Sequence, residues 1–288
     1  MLPLEARART TALPPVQVIA VTGGKGGTGK SAVAVNLATA LAQAGRRTLL
    51  LDGDLGLANV DVLLGLTPRY TLEHVLRGER TLEEVIVQSS AGVRVVPAAS
   101  GVARMAALTR TEQAGIIQAF GALAEPLEML IVDTAAGICE SVLQFCQSAQ
   151  QVLVVLRDEP AALTDTYALI KVLSRERSVR QFRVLANMTR ERGQGDMLFR
   201  RLQRVTDRYL DVTLDYVGEI PEDISLQKAV QSQRAVIELF PSSPAAQAFR
   251  GLARTASRWP LPAGPSGRVE FFFERMLARP APRLQVLK

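Results

Sequence analysis

The chain has 288 residues, 48% of them apolar and 22% charged, a balance that suits a packed globular body and excludes a disordered chain. No apolar run reaches the ~18 uncharged residues a spanning helix needs, and residues 1–15 mix charge and proline without the apolar core of a secretory signal. Two cysteines, Cys139 and Cys146, and one histidine, His74, exclude a disulfide framework and a His-rich metal centre, so a cytoplasmic protein is expected. The net charge of +6 is uneven: residues 1–150 hold 12 Lys/Arg against 13 Asp/Glu, and residues 151–288 hold 22 against 15. A basic second half suits an acidic partner or simply a solvated surface, and charge alone does not decide between them.

Strand-like and helix-like segments alternate from Val16 onward. Val16–Val21 reads as a buried strand, followed by a glycine-rich turn and a helix over Ser31–Ala44, with Val33, Leu37, Ala40 and Leu41 at helical spacing and Gly45 as its stop. Thr48–Leu51, Val93–Pro97, Leu127–Val132, Val152–Leu156, Phe182–Ala186 and Val212–Val217 are the further strands, with helical periods between most of them. Continuous apolar strands separated by helices predict an α/β fold: a mostly parallel, doubly wound sheet with helices on both faces. The texture changes at Trp259, where prolines and glycines through Gly267 read as a linker. The expected organisation is a flexible segment over 1–15, one domain over 16–258, the linker over 259–267, a helix over 268–279 and a tail over 280–288.

Gly24 through Ser31 fits the pattern G-x-x-x-x-G-K-[ST] between a strand and a helix. Glycines let successive backbone N–H groups converge on phosphate oxygens at a helix N-terminus whose dipole favours anions. Lys30 suits the β- and γ-phosphates, and the Ser31 hydroxyl is a hard ligand for Mg²⁺. Gly24, Lys25, Gly26, Gly27, Thr28, Gly29, Lys30, Ser31 and Ala32 form the candidate phosphate-binding set for ATP or ADP. Asp52 and Asp54 lie just past the second strand, and Asp133 ends a later one. Strand ends face the ligand crevice of an open α/β sheet. One such acid would hold the Mg²⁺ shell and another would orient or deprotonate the attacking water. Acids at strand ends also serve as helix N-caps, and Asp133 could be one.

Lys25-Gly-Gly-Thr-Gly-Lys-Ser31 resembles the deviant P-loop of the MinD/ParA ATPases, a likeness that runs from about Val16 to Arg275. The resemblance implies that Lys25 reaches across a dimer to the partner subunit's phosphates, so that ATP joins two copies face to face and hydrolysis depends on dimerisation. It implies Asp133 as the metal-side acid, Asp54 as the water-positioning acid, Asp52 as support for the magnesium water shell, and Asp133–Gly137 as a γ-phosphate-sensing switch. It also implies Asn187 on the adenine edge, with Pro221, Glu222 and Asp223 packed near the base.

Asp54–Asp61, Asp158–Lys171, Arg183–Met188, Gln233–Val236 with Phe240-Pro241, and Trp259–Pro262 look like the FleN/FlhG branch, the flagellar number regulators. That branch implies a cytoplasmic ATPase that restrains the flagellar activator FleQ, works with the GTPase FlhF and engages flagellar switch proteins. Many relatives open with an Asp-Gln-Ala…Leu-Arg segment through which FlhF stimulates hydrolysis, and residues 1–15 lack it. Val269, Phe272, Phe273, Met276 and Leu277 fall at helical spacing, giving an expected amphipathic helix that reaches an anionic membrane. Two copies on a dimer would bind by avidity; the other reading of this helix is one permanently packed in a groove. Arg200, Arg201, Arg204 and Arg208 crowd a helix whose expected apolar face is Leu198, Leu202, Val205 and Tyr209. Without base-reading residues this suits protein docking or solvent better than nucleic acid. A DNA-binding ParA-type partition ATPase and a septum-positioning MinD are the alternatives, and cluster chemistry like that of nitrogenase iron protein is not expected from the spacing of Cys139 and Cys146.

Overall fold

A computed structural model describes residues 15–99, 101–102, 105, 108–123, 126–261, 269–272 and 275. The apolar runs become strands buried along their length: β1 (Gln17–Thr22), β2 (Thr48–Gly53) and β5 (Met129–Thr134) have no exposed residue. Two short strands, β3 (Val87–Gln88) and β4 (Arg94–Val96), lie on one side, and β6 (Gln151–Arg157), β7 (Gln181–Thr189) and β8 (Thr213–Pro221) on the other. Among the described residues they form one eight-stranded sheet in the order β3-β4-β2-β5-β1-β6-β7-β8. Every pairing is parallel except β3 with β4, whose antiparallel edge has too little apolar sequence to be read in advance.

Both faces are covered, as parallel sheets require. Successive β1 residues point to opposite sides: Ile19 and Val21 enter one core with α1 (Lys30–Gln43) and α11 (Pro244–Ala256), and Val18 and Ala20 enter the two clusters opposite. Those clusters include α5 (Arg110–Gly121), α6 (Glu140–Ser148), α7 (Pro160–Arg177) and α8 (Gln194–Tyr209). Short helices α2 (Val60–Leu63), α3 (Leu72–Leu76), α4 (Leu82–Val85), α9 (Ile224–Gln231) and α10 (Val236–Leu239) fill the connections. The chain leaves β1 toward β2 and later leaves β5 in the other direction toward β6, so the loop after β1 opens at the reversal of strand order where ligands bind. No described helix is long and apolar enough to cross a membrane.

Two expectations change. Helix α8 buries Leu198, Phe199, Leu202 and Thr206, while Val205 and Tyr209, expected on its apolar face, are exposed with Met197. The buried stripe turns toward Phe199 because that ring packs on Tyr216 of β8. Downstream, Trp259, expected to open the linker, is buried in the first core, and Gln151 Nε2 donates to Pro260 O at 2.9 Å.

The expected helix over 268–279 does not run through residues 269–272. Phe271 and Phe272 form a turn, with Phe272 in the left-handed region at φ 57°. Neighbouring side chains on a helix diverge by about 100°. The turn instead sends both rings into the second core, where Phe271 stacks on Phe145 of α6 and meets the edge of Phe120 of α5. Val269 packs against the same cluster, Phe271 N donates to Ser148 O at 3.3 Å, and Arg275 donates to Leu123 O. Phe273, Met276 and Leu277 lie outside the described residues.

Candidate nucleotide site

The glycines of the loop after β1 have specific work. Gly29 closes it at φ 87°, the left-handed region that favours glycine, and caps α1 without a side chain. A Cβ on Gly24 would sit 2.2–2.4 Å from backbone atoms of Asp165 and Thr166, so α7 packs directly on the loop. A Cβ on Gly29 would meet Asn187 Nδ2 at 2.4 Å. That amide donates to Thr28 O at 2.8 Å, and Asn187 is buried with its Oδ1 unpartnered. Asn187 therefore braces the phosphate loop from β7.

The next residue in β7 was missed by sequence reasoning. Register shifts around Asn187/Thr189 and a positive φ of 57° at Met188 mark a bulge. It turns Met188 into a cleft of about 630 Å³ beside the loop. Gly27, Gly29, Lys30, Ser31 and Ala32 form one end of this cleft; Pro221, Glu222 and Asp223 at the end of β8 form another. Glu222 is held by Arg190 Nε at 3.0 Å, and Asp223 caps α9 through Ser225 N at 2.8 Å and takes Ala245 N at 3.0 Å. A phosphate cradle continuous with a partly apolar pocket suits a nucleotide.

The two lysines occupy different environments. Lys30 is buried; desolvation lowers its pKa against the raising influence of Asp133 and Asp54, and its Nζ donates to Lys25 O at 3.2 Å. Lys25 stands at the rim, 40% exposed, and pairs with Glu159 Oε2 at 3.0 Å. That hydrogen bond and charge hold Glu159 below the ordinary carboxylate range. Glu159 was inside a segment singled out from sequence, yet nothing in the sequence says that it meets Lys25.

The three acids divide as well. Strand register sets Asp52 beside Asp133. Asp52 accepts from Asn59 N at 2.9 Å, Val60 N at 3.0 Å and Asp54 N at 3.2 Å, so it ties down the loop 53–60 and satisfies the start of α2. Burial, opposed by those backbone hydrogen bonds, pushes its carboxyl up to about 7. Asp133 is fully enclosed, and its pKa is raised first by burial and then by the charge of Asp52. The nearby Ser31 hydroxyl and the Lys30 charge oppose that rise, and the Asp133 Oδ1 stays buried without a partner. An orphaned buried carboxylate oxygen beside a Ser hydroxyl and Lys30 fits a hydrated Mg²⁺ ion. Ser31 and Asp133 would hold that ion, with Asp52 supporting the loop behind them, and the ion would supply charge neutralisation at the phosphates.

Asp54 is half-buried, accepts from Leu57 N at 3.3 Å and stands close enough to Lys30 to influence its charge. Asp133 does not cap α6, which begins at Glu140, seven residues later, with Cys139 as its N-cap. The segment after Asp133 is stitched to the loop instead: Thr134 Oγ1 donates to Val21 O at 3.1 Å and Gly137 N to Gly23 O at 3.1 Å. Cys139 is exposed and Cys146 is buried. Leu57, Val62 and Ile138 stand exposed along this edge.

Comparison with known proteins agrees with the geometry. The ParA family model, described as NUBPL iron-transfer P-loop NTPase, matches residues 15–257. The antiactivator FleN of Pseudomonas aeruginosa is 57% identical over 267 residues, covering 93% of this chain and 95% of that protein. The flagellum site-determining protein YlxH of Helicobacter pylori is 30% identical over 236 residues, 82% of this chain and 80% of its own. In structure, the septum site-determining protein MinD of Pyrococcus horikoshii, solved with Mg-ADP, superposes with a TM-score of 0.71 at 28% identity, covering 85% of this chain and 97% of that one. With its two-lysine phosphate loop and its paired strand-end acids, the chain belongs to the MinD/ParA family of P-loop ATPases, in the branch of FleN.

Proposed function

We propose that the protein is an ATP-switched regulator of flagellar number that dimerises with ATP and, as a dimer, restrains the flagellar transcriptional activator FleQ. The observation that carries the reading is Lys25. It stands at the rim on a surface ion pair, which is weak enough to exchange. Leu57, Val62 and Ile138, in the segments that follow Asp54 and Asp133, are exposed and give a second copy apolar area to cover. The likeness to an antiactivator supports a protein target, and the likeness to a flagellum site-determining protein supports the flagellar setting.

Within the proposed cycle, Lys30 and the loop amides hold the phosphates, Ser31 and Asp133 hold Mg²⁺, and Asp54 orients the attacking water. The partner subunit's Lys25 completes the charge around the γ-phosphate. The protein works in the cytoplasm and reaches the inner face of an anionic membrane through the residues beyond 268. FlhF and flagellar switch proteins are its further partners.

The test is oligomeric state by light scattering, with ADP and with ATP, followed by capture of purified FleQ. Wild-type protein should form a dimer with ATP and bind FleQ in that state. Asp54→Ala should keep the ATP dimer and lose hydrolysis, and Lys30→Gln should lose ATP-driven dimerisation. A Lys30→Gln protein that dimerises as the wild type does would refute the mechanism.

A further inference from the structure

At the edge where the strands begin, opposite the phosphate loop, the ends of α1 and α11 enclose a second cleft of about 510 Å³. The position is fixed by Gln17, the first residue of β1, whose Nε2 donates to Ala256 O at 3.0 Å. Arg46, Arg250, Arg254 and Arg258 line the cleft, and no carboxylate does. Arg250 and Arg254 lie four residues apart on one side of α11, about 6 Å apart along its axis, and Arg258 follows in the turn after the helix. Arg46 is shared with an adjoining hollow lined by Arg47 and Arg94, again without a carboxylate.

Local neutralisation is thin. Glu128 reaches Arg46 and Arg47 at 3.5 Å each, and Arg250 donates to the Pro241 carbonyl. Among the described residues no acid pairs with Arg254 or Arg258, and Arg46 Nε is buried without a hydrogen-bond partner. Several guanidiniums converging on one concave surface match phosphate, which each can hold through paired N–H donors.

We propose that this cleft binds the phosphate headgroups of an anionic lipid bilayer. The choice of lipid rests on the membrane reading above, because the tail docks at the same edge: Phe271 N is bonded to Ser148 O, at the end of α6 and just before β6 begins. A tail that inserts into a bilayer brings this arginine surface down onto the headgroups. The cleft then adds an electrostatic, lipid-selective component to whatever the apolar tail contributes.

The experiment is co-sedimentation of the full chain with phosphatidylcholine vesicles, with and without phosphatidylglycerol, in ADP and in ATP. Wild-type protein is compared with Arg254→Gln/Arg258→Gln, whose hydrolysis in solution should be unchanged and so reports the fold. Removing two cations near a charged surface should weaken binding to the anionic vesicles by about 30-fold and leave binding to neutral vesicles as it was. Equal binding of the two proteins to anionic vesicles, or no preference of the wild type for them, overturns the proposal. Loss of duplex DNA binding in the double variant with vesicle binding intact overturns it in favour of nucleic acid. Vesicle binding that ignores the nucleotide sinks the ATP-switched tail alone, because anionic preference is read within a single nucleotide state.

Discussion

Phe271→Ala tests how the tail is held. The ring is fully buried, stacked on Phe145 with centroids 6.3 Å apart, and set edge-on to Phe120 at 5.3 Å. Truncating such a phenylalanine costs about 3–5 kcal/mol when the surroundings cannot collapse, and each aromatic pair supplies about 0.5–1.5 kcal/mol of that. Among the described residues, Val269, Phe271 and Phe272 pack in the second core, Phe271 N bonds to Ser148 O and Arg275 bonds to Leu123 O. Phe272 also holds a positive φ that opposes docking. A segment so held can leave its groove without unfolding the sheet, so the free energy of docking caps the global loss. Amide exchange at 269–272 should therefore rise by about 10²–10³-fold, with new exchange around Phe120 and Phe145. The melting temperature should fall by less than in Phe249→Ala, whose ring is equally buried but belongs to α11 in the first core. Unchanged exchange at 269–272, or a melting shift equal to that of the control, would refute a peelable tail.

Three further outcomes follow from the site. Asn187→Ala removes a buried 2.8 Å bond and orphans Thr28 O, so it should cost about 1–3 kcal/mol in urea unfolding and weaken ADP in a titration; unaltered ADP affinity would show that the loop holds its shape without the brace. Glu159→Gln frees Lys25 from a solvent-screened surface pair, so ATP-dependent dimerisation should tighten about twofold by light scattering, and weakening would refute the exchange of partners. For pH, burial raises the folded pKa of Asp52 to about 7 and holds that of Asp133 well above the ordinary carboxylate range. The folded nucleotide-free protein then binds more protons than the unfolded chain, and these acids make stability fall as pH rises from about 4 through about 7. Urea titrations between pH 5 and 8 should show that slope, and Asp52→Asn should reduce it; a slope unchanged in the variant would remove Asp52 as its source.

The order of strands and helices, the phosphate loop and the family were legible from the sequence because each rests on local pattern. A continuous apolar run reads as a buried strand, and glycines with a lysine and a serine at fixed spacing between strand and helix read as a phosphate cradle. Three acids at strand ends were equally visible. Their division was not: register puts Asp52 beside Asp133, and then backbone amides of Asn59 and Val60 occupy one while the other keeps a free oxygen. Asn187 was visible as a strand-end amide, but only packing turned it onto Thr28 O, and only a bulge turned Met188 into the cleft. The tail shows the same limit, since helical spacing marked Phe272 while Phe271 is buried beside it through a turn that no period encodes. Arg46 and the arginines of α11 lie about 200 residues apart in sequence and meet only because α1 and α11 share one face of the sheet. Local chemistry is written along the chain; partners far apart in it are chosen by the sheet that brings them together.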